Sequence, residues 1–337
     1  MEAKEKITIN DVAEALGVSK TTVSRAISGK GRIGNETRSK VLQYIEEHNY
    51  TPSAIAKSLV ESRTHNIAYV VPGDYSTVDI SFFQRCLFSI SETAANFHYD
   101  MIVTTMNAGD ISSLERLVTN HKIDGVILAR TIENDPAIQY LKAKKFPFIT
   151  LGTTSFTQVT QIDNDHLGAC TEMTSLLLLK GLSRLGLIGG NKRHIVNQKR
   201  LEGFVRAHNN LNRSINQEDI FLDAGNMAAI DRAVDDMIKH QVQCIVCMDD
   251  YICQMVLSKV LRNKMTIPKD IKIASFYDSS INDIAGILHN VTSITFDAAQ
   301  LGEVACKTMI DKIEGRPVKD LLLLGYNITL KQSTQSV

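Results

Sequence analysis

Apolar positions in the first sixty residues recur at helical spacing, in short bursts separated by polar breaks. Val12, Ala13 and Leu16 form one stripe, opened by Thr8 and Asp11 at capping-box spacing and closed by Gly17. Ser19 is placed to cap the next burst, SKTTVSRAIS, with Val23, Ala26 and Ile27 turned inward. Asn35 is expected to cap a third helix whose inner face is Val41, Leu42 and Ile45. Two short capped helices joined across Gly17-Val18 have the form of a helix-turn-helix. From residue 66 the period changes. IAYVV, DMIVTTM, GVILAR and FPFITLG are apolar runs spaced about one helix length apart, and LGLIGG, DIFLDAG, CIVCMDD and IKIASFYD repeat the theme. Such runs predict buried parallel strands alternating with helices, in two sets, hence two α/β subdomains with a cleft between them.

Charge singles out the N-terminal part. The chain holds 37 basic and 37 acidic residues, yet Ser19 to Lys40 carries six cations against one anion, Glu36. A basic patch on a neutral chain points to one region that meets a polyanion. On the second helix Lys20, Thr21, Thr22, Ser24 and Arg25 face outward, and those near its N-terminus are the ones that reach base edges when such a helix lies in a major groove. Ser19, Thr22, Ser28, Arg32 and Thr37 suit phosphate contacts, which position without reading sequence. A solvated face of an ordinary three-helix domain is the plain alternative. Thr51-Pro52 opens a further helix, PSAIAKSL, too short to stand alone in water. Its small Ala56 and wedge-like Leu59 suit a minor groove. A simple linker running into ESRTHN is the competing reading.

Other classes are disfavoured. MEAKEKITIND lacks the apolar core of a secretory signal, and the leucine quartets at 176–179 and 321–324 are far too short to span a bilayer. The six cysteines lie scattered in apolar contexts, so a cytoplasmic protein with no membrane partner is expected. Cys244 and Cys247 have CxxC spacing, but within a buried apolar run they read as core residues rather than half a metal site. No P-loop, dinucleotide-binding glycine motif, H-E-x-x-H or G-x-S-x-G is present, so catalytic residues, cofactors and metal ligands are all assigned as none. An α/β enzyme remains the rival from another class, because two-lobed clefts often catalyse.

Asp163-Asn164, Asp249-Asp250 and Asp278 fall at expected strand ends, where carboxylates can accept hydrogen bonds from sugar hydroxyls or cap the next helix. Asp165 and Asp250 look more like caps. Phe82 and Phe83 can stack on a sugar ring or face the core.

The segment ITINDVAEALGVSKTTVSRAISGKGRIGNETRSKVLQYIEEHNYTPSAIAKSL resembles the DNA-binding headpiece and hinge helix of the lactose-repressor/galactose-repressor (LacI/GalR) family of bacterial transcription regulators. The likeness rests on D-V-A-x-x-x-G-V-S-x-x-T-V-S-R, then T-R-x-x-V, Y-x-P and A-x-S-L, and continues more weakly to near the C-terminus. It implies an N-terminal all-α helix-turn-helix headpiece plus an α/β periplasmic-binding-protein-like core of two doubly wound parallel-sheet subdomains. By that resemblance Lys20, Thr21 and Arg25 read operator bases, and Ala56 and Leu59 enter the minor groove. Ser53 stands where the family often has Asn after the proline. In the body, IDNDHLGAC and QKRLEGFVRAH resemble the family's motifs, the first as D-N-x-x-x-G and the second as R-x-x-G-F. Arg200 thereby falls at the principal effector-binding arginine, where a bidentate fork suits hydroxyls or a carboxylate. Asp249 sits where the family commonly has Asn or Ser. Tyr277 replaces the usual effector-binding aspartate, with Asp278 one step later. No aromatic lies in Asp223–Met227, where one often stacks.

The expected domains are residues 1–62, with the hinge helix at about 52–60, and residues 66–337. Within the latter, an N-subdomain covers about 66–163 and 294–324 and a C-subdomain about 164–293 and 325–337. The crossings between them make a natural hinge. The terminal QSTQSV carries no leucine heptads, so a homodimer is expected rather than a coiled-coil tetramer. The resemblance implies a cytoplasmic repressor, nucleoid-associated when bound to double-stranded operator DNA. Its expected effector is a small molecule, a sugar or sugar derivative, acting on carbohydrate genes. A purine co-repressor or a phosphorylated partner protein is the alternative.

Overall fold

The computed structural model describes residues 7–28, 31–48, 63–73, 79–107, 109–278 and 290–335. They fall into two compact units divided between Thr64 and His65.

In the first unit, α1 (Ile9–Ala15), α2 (Lys20–Ser28) and α3 (Asn35–Glu47) enclose a small core of Val12, Ala13, Val23, Ala26 and Val41. The Asp11 carboxylate accepts both the backbone N–H and the hydroxyl of Thr8, at 2.7 and 2.8 Å, which fixes the start of α1. Its end is a Schellman turn. Gly17 takes φ +61°, its N–H bonds to Glu14 O, and Val18 N–H reaches Ala13 O at 3.0 Å. Ser19 Oγ then accepts the Thr22 N–H at 3.1 Å, starting α2 one residue after the turn. Two details of α3 differ from expectation. Gly34, not Asn35, is its N-cap, and Leu42 is 43% exposed. One step along a helix turns about 100°, so Leu42 cannot share the face of Val41; Tyr44 and Ile45 share it instead.

The second unit contains two six-stranded sheets. The first is built from β1 (Asn66–Pro72), β2 (Asp100–Met106), β3 (Gly125–Leu128), β4 (Phe148–Leu151), β5 (Thr160–Asn164) and β11 (Leu321–Leu324). Its order is β11-β5-β4-β3-β1-β2, and every pairing is parallel. The second is built from β6 (Leu185–Ile188), β7 (Ile220–Phe221), β8 (Cys244–Cys247), β9 (Lys272–Ser275), β10 (Thr292–Thr295) and β12 (Asn327–Thr329). Its order is β12-β10-β9-β8-β6-β7, parallel except for the β10–β12 pair. Central strands such as GVIL, FITL, LGLI and CIVC are buried at every position, because helices cover both faces; this is why they read as unbroken apolar runs. Cys244 and Cys247 lie three apart on β8 and so point to opposite faces, and burial pushes the Cys244 thiol up to about 12.

The intervening helices are α4 (Asp79–Asn96), α5 (Ser112–Thr119), α6 (Pro136–Ala143), α7 (His166–Leu179), α8 (Ile195–Asn210), α9 (Met227–Lys239), α10 (Asp250–Arg262) and α11 (Ala298–Ile313). Close packing of α7 on α8 requires a glycine. A Cβ on Gly203 would lie 2.7 Å from Cys170 Cβ and 2.9 Å from Leu167 O. The chain passes between the sheets three times, after β5, after β10 and after β11. Because β10 belongs to the second sheet, the first return follows Thr295, slightly later than position 294. Among the described residues no helix is long and apolar enough to cross a membrane.

Candidate functional site

Two regions gather the predicted residues. On α2, Lys20, Thr21 and Arg25 are exposed and Thr22 is half-buried. Ser19 and Thr22 bond to each other through their hydroxyls at 2.9 Å, so both are already engaged in capping. Arg32 is exposed and Thr37 half-buried beside α3. Glu36, the single anion of the basic run, pairs with Lys40 at 2.8 Å. The side chain of Ser28, and residues Ser53, Ala56 and Leu59 with the rest of the expected hinge helix, lie outside the described residues.

The second region is a cavity of about 300 Å³ at the carboxyl ends of both sheets. Phe82, Phe83, Asp163, Arg200, Asp249 and Tyr277 all line it. Phe82 and Phe83 come from α4 and the other four each from a different segment, which is what two doubly wound sheets facing one another produce. Asp163 is the penultimate residue of β5 and is buried. Its two oxygens accept the N–H groups of Thr153 and Asn164, both at 2.8 Å. Burial nevertheless raises the carboxyl to about 6, with those bonds and the Arg200 charge opposing. Arg200, on α8, is 7% exposed, and its guanidinium lies 5.7 Å from the Tyr277 ring centre. The Phe82 ring meets Tyr277 edge-on at 6.3 Å, making an aromatic wall. Burial drives the Tyr277 phenol upward, so it stays protonated and can donate.

Two expectations require correction. Asp278 does not line the cavity. Successive residues leaving β9 point to opposite sides, so Tyr277 takes the cavity side and Asp278 turns away, accepting the Ser293 hydroxyl at 3.0 Å and facing Lys331 at 3.6 Å. The cap of α10 is Asp249, whose Oδ1 accepts the Ile252 N–H at 2.8 Å; Asp250 is buried in the first turn. Asp165 does cap α7, through the Gly168 N–H at 2.8 Å.

Several lining residues were not singled out from the sequence: Arg130, Thr131, His166, His194 and Tyr251. All follow strand ends, the signal that had singled out the aspartates. Tyr251 supplies an aromatic one strand away from the Asp223–Met227 segment that lacks one. A backbone bridge also joins two loops that line the cavity. Ile132, after β3, bridges His194, after β6, with Glu133 N–H to Arg193 O at 3.0 Å and Ile195 N–H to Thr131 O at 3.3 Å. Behind the cavity, the Phe296 ring lies 4.5 Å from His166, 6.3 Å from Tyr277 and 6.4 Å from Tyr326. His166, Phe296 and Tyr326 stand on the three segments by which the chain crosses between sheets.

Residues 8–53 match the model of bacterial regulatory proteins of the lacI family, and residues 64–331 match that of periplasmic binding proteins and the sugar binding domain of the LacI family. The HTH-type transcriptional regulator MalR of Streptococcus pneumoniae serotype 4 is 30% identical over 317 residues, covering 91% of this chain and 93% of its own. The solved lac repressor dimer, bound to operator and the anti-inducer ONPF, aligns with TM-score 0.78 at 18% identity over 98% of this chain and 100% of that one. The transcriptional regulator CelR in complex with cellobiose aligns with TM-score 0.70 at 21% identity, over 97% and 99%. At those identities the two structures speak to the fold alone. With family matches over both units and a regulator similar along nearly its whole length, the chain belongs to the lacI family of DNA-binding transcription regulators.

Proposed function

We propose that this regulator is a homodimeric repressor of carbohydrate genes whose hold on its operator is set by a neutral sugar in the cavity between the two sheets. The observation that carries the reading is the cavity wall. Its charged side chains are Arg130, Arg200, Asp163 and Asp249, two of each sign, flanked by the rings of Phe82, Tyr251 and Tyr277. Balanced charge disfavours an ionic ligand, while carboxylate acceptors, guanidinium donors and aromatic faces together match the hydroxyls and apolar faces of a sugar ring. The similar regulator CelR, solved in complex with cellobiose, agrees with a sugar.

Control follows by linkage. The sugar favours one relative setting of the two sheets, operator DNA favours one of the same settings, and each changes the other's affinity by an equal factor, about 5- to 150-fold in such couplings. Dimerisation presents two α2 helices to half-sites about one helical turn, or a multiple of it, apart. The test is selection of bound sequences from random duplex DNA by the full chain at fixed, near-physiological salt, since phosphate contacts make affinity steeply salt-dependent. A pseudo-palindrome whose binding shifts with added disaccharide is expected. Enrichment of an isolated half-site would exclude the dimer, and a sugar-independent palindrome would exclude the cavity as the control point.

A further inference from the structure

Three buried polar atoms around the cavity have no hydrogen-bond partner among the described residues: Asn164 Oδ1, His166 Nδ1 and Arg200 Nε. Their residues are 2%, 7% and 7% exposed, and all three line the same space. Buried polar groups are ordinarily paired, so a group left open on a ligand cavity is matched to the ligand. His166 is the most constrained of the three. Its ring lies 4.5 Å from Phe296 on one side, and its Nε2 faces Asp163 Oδ1 at 3.5 Å on another. That distance is long for a hydrogen bond, but the carboxylate still favours the tautomer with the proton on Nε2. Nδ1 then carries the free lone pair, on a residue that lines the cavity.

We infer that His166 is a specificity-determining residue, whose Nδ1 accepts a hydroxyl of the bound sugar beside the Asn164 carbonyl and the Arg200 Nε–H. One sugar hydroxyl can donate to Nδ1 while accepting from Nε–H, and a neighbouring hydroxyl can donate to Asn164 Oδ1. Such a donor–acceptor set selects adjacent hydroxyls and rejects a ligand that lacks one of them. Burial keeps the imidazole neutral, so this acceptor is not lost by protonation near neutrality. The inference rests on the sugar reading given above.

The test is calorimetric titration of the full chain with maltose, cellobiose and glucose, for the parent and for His166→Phe, His166→Met and His166→Asn. Phe keeps the ring packed on Phe296 without the nitrogen, Met removes it with a flexible side chain, and Asn restores a polar atom near Nδ1. Affinity for whichever sugar the parent binds best should fall about tenfold or more in the Phe and Met variants and stay within about threefold in the Asn variant. Unchanged affinity in His166→Phe, or in His166→Met should the Phe variant melt early, overturns the role of Nδ1. An Asn variant as weak as the Phe variant, at equal thermal stability, shows that ring packing alone matters and also overturns it. A parent chain that binds none of the three sugars overturns the sugar reading, and the His166 assignment falls with it.

Discussion

Asp163 and Arg200 place opposite charges in one buried wall, and the pH dependence of that wall can be derived from the aspartate. Its carboxyl sits at about 6 in the folded chain against an ordinary 3.8, so the folded state holds the proton more tightly than the unfolded one. Ionising it therefore costs the fold stability as pH rises from about 4 to about 6, with no further change above. Ligand binding runs the other way. Only the ionised form offers all its lone pairs to hydroxyls, so sugar affinity should weaken as pH falls through about 6. Titrations across that range should show the inflection in the parent and a flat profile in Asp163→Asn. Arg200→Ala should lower sugar affinity by about 10- to 100-fold, the effect of removing a charged hydrogen-bond donor, while apo operator binding holds. Arg25→Ala should flatten base preference at one position of the selected site, which a repeat selection would reveal. At this scale the sequence was legible where a motif named the residue, as at Arg200, and illegible where facing decided it. Nothing in the order of Tyr277 and Asp278 says which turns into the cavity until β9 is placed against β10. His166 was passed over because it fills a variable position of its motif, between Asn164 and Gly168, and only the fold brings Asn164 and His166 to Arg200.

Helix ends and helix contacts set the next level. The turn from α1 to α2 was readable because each of its groups has a one-residue signature: Asp11 beneath Thr8, Gly17 at positive φ, and Ser19 under Thr22 N–H. Strands were readable as apolar runs because parallel sheets bury both faces. Packing between helices was not. Gly203 stands in a motif, yet its reason appears only where α7 crosses α8 and a Cβ would press on Leu167 O. Gly203→Ala should cost about 1–3 kcal/mol by overpacking, lowering the melting temperature by roughly 2–4 °C for each of them. A thermal melt unchanged from the parent would mean that α8 can shift away from α7 freely. Asp11→Ala should be milder, about 1 kcal/mol, and confined to the first unit.

At the scale of the molecule, the three crossings bear on the proposed role of the cavity as both a binding site and a switch. One aromatic cluster, Phe296 with His166 and Tyr326, spans all three crossing segments and also meets Tyr277 of the wall, so the wall and the joints between the sheets share one packed group of rings. The same crossings separate chain order from spatial order. The first sheet is completed by β11 and covered on one face by α11, where Leu301, Ala305, Met309 and Ile310 pack against Cys86 and Ile90 of α4. Those pieces come from the far end of the sequence, after the whole of β6 to β10. As the chain leaves the ribosome, the half begun first is therefore finished last. It must wait with the edge of β5 unpaired and the apolar side of α4 bare while the second half is made. Synthesis halted before α11 would leave that surface open to neighbouring chains and to chaperones, however well the later half had folded.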